Sequence, residues 1–209
     1  MIYLIGVNHD QAARSICGQV LTNCQIQFQS VVESAIESVH PDLLVEEDHP
    51  DWLLKAKSVS ILLAIANKNQ PRIGHIFVDP NDCGRKAIGY KKWEQIIRLN
   101  EINSLLIPNN NESELENLAR AHEIAHQFPI REQFWLAELR KKTASNILFV
   151  CGDIHLYTFT RLLATKRIAF SVFAKGIGVN DTNKIEYKAL KYAQDNNMFY
   201  ETDCFCQKA

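Results

Sequence analysis

Carboxylates and histidines recur where short apolar runs stop. Gly6-Val7-Asn8-His9 follows one such run, Glu46-Glu47-Asp48-His49 a second, Asp79-Pro80-Asn81-Asp82 a third and Gly152-Asp153-Ile154-His155 a fourth. Two histidines and a carboxylate drawn from separate segments offer neutral imidazole nitrogens and a hard oxygen. That donor set suits a divalent ion such as Mn, Co or Zn. On this reading His9, Glu46 and His155 are the metal ligands, and Asp79, Asp153 and Glu132 stand behind them. The same groups could work without a metal: a histidine draws a proton from water, a carboxylate orients the histidine, and an arginine stabilises the developing oxyanion. Both schemes are hydrolytic. The bland alternative makes Asp10, Asp82 and Asp153 simple helix caps.

The elements that must position these residues are legible as alternating periods. Residues 3–7 read as a strand, and Phe28, Val31, Val32, Ala35, Ile36 and Val39 follow helical spacing. His40-Pro41 ends that helix. Residues 43–45 are a second buried strand, 52–66 a helix, and 75–78 a third strand. This β-α-β-α-β order predicts an α/β fold with a mainly parallel sheet of about five strands flanked by helices. The stretch 84–143 is helical throughout, broken at 108–111 and again at Pro129, and reads as an insertion between strands three and four. Strands at 147–151 and 170–173 complete the sheet, and a last helix starts near Asn183 and Glu186, which have capping-box spacing. The whole of 1–209 is taken as one domain. Open α/β sheets bind ligands beyond the carboxyl ends of their strands, which is where all four motifs fall.

Taken together, Gly6-x-x-His9, the acid of Leu44-Val45-Glu46, Arg131 in Ile130-Arg131-Glu132-Gln133-Phe134-Trp135, and Gly152-x-x-His155 resemble the TraB, Tiki and erythromycin-esterase superfamily. Its pattern is two G-x-x-H motifs, an intervening Glu and a late Arg. The resemblance runs from Gly6 to His155. It implies a hydrolase-type site, since members include metal-dependent proteases and hydrolases of macrolide esters. It also implies that His9 and His155 are ligands or bases, Glu46 the acid, and Arg131 the transition-state cation. The chain departs from the pattern in having Val7 where many relatives carry Thr, and in doubling the acid as Glu46-Glu47. Strand alternation would turn only one of that pair into the site, unless the strand has already ended. On residue type alone Arg131 could equally pair with Glu138 or Glu47.

A rival constellation is His122-Glu123-Ile124-Ala125-His126, a literal H-E-x-x-H. In metallopeptidases of the zincin type this spacing puts both histidines on one helix face with the Glu as base. Here Leu115, Leu118, Ala119, His122 and His126 share one stripe, as expected of a helix packed with its histidines at the rim. Glu132, Glu138 or His155 could supply a third ligand. A third alternative, from another class, is a non-enzymatic module that captures a small ligand or peptide.

Composition narrows the partners. The chain is 46% apolar and 22% charged, with 23 Lys and Arg against 24 Asp and Glu. A net charge of -1 gives no broad basic field for nucleic acid or anionic lipid, so Lys91-Lys92-Trp93 and Arg140-Lys141-Lys142 read as solvated helix faces. The expected partner is a small-molecule or peptide substrate. The longest apolar run, residues 61–66, is too short to span a bilayer, and the N-terminus lacks a basic region and a cleavage site. Six cysteines without scaffold spacing point to reduced thiols in the cytoplasm, with Cys204-x-Cys206 an inert tail. The helical insertion offers a surface for a homodimer.

Overall fold

The computed structural model describes residues 1–69, 72–99, 112–179 and 184–199. The expected break at 108–111, the cap at Asn183 and the Cys204/Cys206 pair lie outside the described residues. The chain divides into two compact units, the first made of Met1–Asn81 with Phe134–Asn180 and the second of Asp82–Gln133 with Asp181–Ala209. The helical stretch read as an insertion into one domain thus falls mostly in a unit that it shares with the C-terminal segment.

The first unit holds a five-stranded sheet. Strands β1 (Ile2–Val7), β3 (Leu43–Glu46), β5 (Gly74–Phe77), β6 (Ile147–Gly152) and β7 (Phe170–Ile177) take the order β5-β3-β6-β1-β7. Every pairing is parallel, with Gly6 opposite Cys151, Val7 opposite Gly152, and Glu46 opposite both Val150 and Phe77. The α/β reading therefore holds. The central strands are apolar on both faces because both faces are covered. One face packs Leu4, Val45, Phe149 and Cys151 against Trp135, Phe159 and Leu163. The other packs Ile5, Leu44, Leu148 and Val150 against Phe28, Val32 and Leu62.

These faces are covered by α1 (Asn23–Val39), α3 (Ile61–Lys68), α8 (His155–Thr165) and α7 (Phe128–Arg140), the first turns of α7 belonging to the second unit. A capping box starts α1, in which Thr22 and Gln25 exchange side-chain and backbone bonds, and His40 ends it in the left-handed region at φ 46°. A second, antiparallel sheet pairs β2 (Arg14–Ile16) with β4 (Ser58–Ser60).

The single helix expected over 52–66 is instead α2 (Pro50–Lys55), strand β4 and α3 (Ile61–Lys68). Lys57 turns left-handed, at φ 50°, and so breaks the helix. Ser60 then restarts it by accepting the Leu63 amide proton at 2.9 Å.

In the second unit, short helices α4 (Asp82–Ala87) and α5 (Trp93–Arg98) precede α6 (Glu112–His122), and α9 (Ile185–Asp195) packs on α6. Pro129 does not break the chain as expected. Proline lacks an amide proton and its ring crowds the carbonyl four residues back. The helix accommodates this with a wide π-turn, Glu123–Gln127, in which the Phe128 amide reaches the Glu123 carbonyl, and then continues as α7. No helix of the described residues is long and apolar enough to cross a membrane.

Candidate functional site

Because all five strands of the main sheet are parallel, their carboxyl ends share one side of it. The loops leaving them are tied by backbone bonds: Asn8 to Ile177 at 2.8 Å, Glu47 to Val150 at 2.9 Å, Val78 to Glu46 at 3.0 Å, and Asp153 to Val7 at 3.0 Å. Beyond β1 the chain enters a π-turn, His9–Ala13, which carries the first histidine and delivers the chain to β2.

Strand β3 ends at Glu46, so alternation no longer governs the residues beyond it. Glu46, Glu47 and Asp48 are all buried. Glu46 accepts from the Ser60 hydroxyl at 2.5 Å and lies 3.4 Å from His75 Nε2, both through its Oε2. Glu47 spans two histidines. Its Oε1 is 3.3 Å from His155 Nε2, and its Oε2 is 3.5 Å from His9 Nε2 and accepts the Gly152 amide proton at 2.7 Å. Asp48 is gripped by Arg14, whose Nε and Nη2 donate at 2.7 and 3.1 Å. It also accepts the His49 amide proton at 2.8 Å.

Both glycines of the G-x-x-H motifs have steric reasons. A Cβ on Gly6 would lie 2.4 Å from Leu156 Cδ1 and 2.5 Å from Asp153 Oδ1. One on Gly152 would come within 3.3 Å of Glu47 Oε2 and 3.5 Å of the His155 ring. His155 opens α8 and packs its ring against Trp135 in a tilted arrangement, with ring centroids 4.8 Å apart, and the Trp135 indole donates to Asp79 at 2.8 Å. The Asp153 Oδ1 accepts the Gly176 amide proton at 2.6 Å and so binds the end of β7.

One ligand atom each from His9, Glu46 and Asp48 lies within 4.8 Å of the others, a group able to hold a metal ion. The sequence reading had His155 in that place. The structure sets His155 against Glu47 and puts Asp48, which sequence reasoning missed, in the group. Its signal was the acidic run Glu46-Glu47-Asp48 directly after an apolar strand. Among the described residues, the group also contains buried polar atoms with no hydrogen bond: Oε1 of Glu46 and both ring nitrogens of His9, the 3.5 Å approach of Nε2 to Glu47 being a longer ion-pair contact. Burial pulls the His9 pKa down, but Glu47 and then Glu46 outweigh it, with Arg14 opposing them, so that His9 titrates above the usual 6.5.

The remaining candidates, Glu138 apart, belong to the second unit. Arg131 is buried, its guanidinium 5.2 Å from the centre of the Tyr90 ring and 5.9 Å from that of Phe128, and Glu132 is fully buried beside it in sequence. Glu138, an expected partner of Arg131, pairs with Lys141. In the H-E-x-x-H segment the His122 and His126 rings lie 4.5 Å apart. Glu123 accepts from the Tyr90 hydroxyl and from the Trp93 amide at 3.2 Å. Burial, ahead of every other influence, raises the Glu123 pKa and holds the Tyr90 hydroxyl protonated far above its usual range.

No family model matches the chain, and no curated protein and no solved structure matches it at a significant level.

Proposed function

We propose that the chain is a hydrolase of Tiki and TraB type that cleaves an amide or ester bond, in a small-molecule or peptide substrate, at the strand-end cluster of the first unit. The observation that carries this reading is the pairing of three buried consecutive carboxylates with unbonded atoms on Glu46 and His9. Buried carboxylates need compensating charge, and lone pairs shielded from water need a partner. Arg14 serves Asp48 and His75 approaches Glu46. A divalent cation held by His9, Glu46 and Asp48 would supply the rest, and one nitrogen with two carboxylate oxygens fits Mn, Co or Zn.

When bound, the ion would lower the pKa of water and polarise the scissile carbonyl. The protein's own groups supply the remaining chemistry. Glu47 holds His155 and His9 in fixed relation, so that the Glu47–His155 couple is the candidate proton acceptor. Trp135 fixes the His155 ring, and Asp79 fixes Trp135. The raised pKa of His9 means that a cation must displace a proton there, so affinity for metal should rise with pH. If the cluster works without a metal, the same Glu47–His155 couple remains the base. Free thiols at Cys17, Cys24, Cys83 and Cys151 accord with a cytoplasmic setting.

The test is metal stoichiometry by plasma mass spectrometry after incubation with Mn, Co or Zn salts, alongside turnover of a panel of nitrophenyl esters and chromogenic amides. Wild type should bind one ion and turn over at least one substrate, and Glu46→Gln and Asp48→Asn should lose the ion. Turnover that survives both His155→Ala and Glu47→Gln would sink the assignment of the base. Absence of turnover in metal-loaded wild type would leave a binding module.

A further inference from the structure

The second unit carries a cavity of about 600 Å³ between and beside α4 and α5, a size suited to a small ligand. Its wall holds Arg85, Lys86, Lys91, Lys92 and Arg98 against one carboxylate, Asp82. This is a sharp local excess in a chain whose net charge is -1. The loop bearing Lys91 and Lys92 is held from below by the π-turn. Gln127 accepts the Lys91 amide proton at 3.0 Å, and Glu123 accepts the Trp93 amide proton and the Tyr90 hydroxyl proton. Lys92 then enters α5, its amide bonded to the Gln95 side chain at 3.0 Å. The backbone under the two lysines is therefore fixed before any ligand arrives, which lowers the ordering cost of binding. The Arg85 guanidinium is held too, 5.4 Å from the centre of the Tyr90 ring.

We propose that this cavity binds a small polyanion with two or more adjacent phosphate-type groups. Five cations around one concavity exceed what a single phosphate would neutralise, and arginine and lysine are the usual donors to such oxygens. Single-stranded nucleic acid fits less well, because it needs aromatic faces for stacking. Here the Trp93 face is taken by Arg120, with the guanidinium 4.4 Å from the ring centre, and Tyr90 is buried with its hydroxyl given to Glu123. A membrane surface fits less well too. Leu99 is the exposed apolar side chain of the lining, and the Ile96 side chain of α5 is buried. On this view Glu123 of the H-E-x-x-H segment is a clamp for the anion-binding loop.

The experiment is calorimetric titration of chelator-treated full-length protein with inorganic pyrophosphate and tripolyphosphate at physiological salt. Chelation removes any ion of the first unit that could itself attract the anion. Wild type should bind one equivalent with Kd tighter than about 1 mM. The Lys91→Gln/Lys92→Gln variant should bind at least about tenfold more weakly. Arg98→Gln should weaken binding as well, and Lys68→Gln/Lys166→Gln, exposed lysines of the first unit that do not line the cavity, should leave it unchanged. Affinity should fall steeply with added salt. Wild type that ignores both phosphates, or a Lys91/Lys92 variant that binds them as well as wild type, would overturn the proposal. So would a single-stranded RNA or an anionic phospholipid vesicle that binds more tightly than tripolyphosphate through the same lysines.

Discussion

The chain carries two histidine-and-glutamate constellations, and they differ in what their glutamates already do. In the second unit the carboxylate of Glu123 accepts from Tyr90 and Trp93 on its two oxygens. At the strand ends Glu46 keeps one oxygen without a hydrogen bond among the described residues, and the ring nitrogens of His9 also lack one. The H-E-x-x-H spacing is the more famous pattern in a sequence, yet its glutamate has a hydrogen bond on each oxygen, whereas the strand-end Glu46 keeps Oε1 without one. A motif specifies residue types and intervals; it does not say which lone pairs the fold has already used.

That contrast can be broken in graded ways. Trp135 is fully buried against Phe149, Phe159 and His155. Trp135→Ala should therefore cost about 3–5 kcal/mol, read as a lower urea midpoint. Glu46→Gln should weaken metal binding by at least about 100-fold, the upper end of what remote supporting residues achieve, whereas His122→Ala should leave it unchanged. A metal stoichiometry that drops in His122→Ala and not in Glu46→Gln would reverse the comparison.

Glu123→Ala strips the acceptor from the Tyr90 hydroxyl and the Trp93 amide. It should cost about 1–3 kcal/mol of stability with metal content intact. Gly152→Ala would press a Cβ to 3.3 Å from Glu47 Oε2. It should lower turnover with a stability loss of about 1 kcal/mol, the low end for overpacking.

The smallest effect is electrostatic. In metal-free protein His9 gains its proton more readily folded than unfolded. Its contribution to stability is therefore full below pH 6.5 and fades as pH rises through the raised folded value. The stability difference between wild type and His9→Gln, measured in chelator by urea titration across that range, should shrink as pH rises.

The sheet was readable because strands buried on both faces are continuous apolar runs, as Leu43-Leu44-Val45 and Ile147-Leu148-Phe149-Val150 are. The three interruptions to helical reading, at Lys57, Ser60 and the π-turn before Pro129, were not, since each depends on a local backbone choice that periodicity does not encode. In the site, His9, Glu46, Glu47 and His155 could be named from their places after strands. Glu47 and Asp48 lie past the last paired residue of β3, where a face rule has no meaning. The acidic run pointed at Asp48 but could not show that Arg14, 34 positions away in sequence on β2, buries and orients it. His75 lies inside the apolar run of β5 and gave no sign that it faces Glu46.

The order β5-β3-β6-β1-β7 places β6 between β3 and β1, although β6 is made long after both. Until residues 147–152 arrive, β1 and β3 lack the strand that lies between them, and Glu47 has neither the Gly152 amide nor His155 to bind. The site therefore belongs to the last stage of assembly. Folding must close loops of more than a hundred residues before the cluster exists, which favours slow folding and an interval of exposed strand edges. Completion of the Glu47–His155 contact and the joining of β1 to β3 would be a single event, timed by the insertion of one central strand.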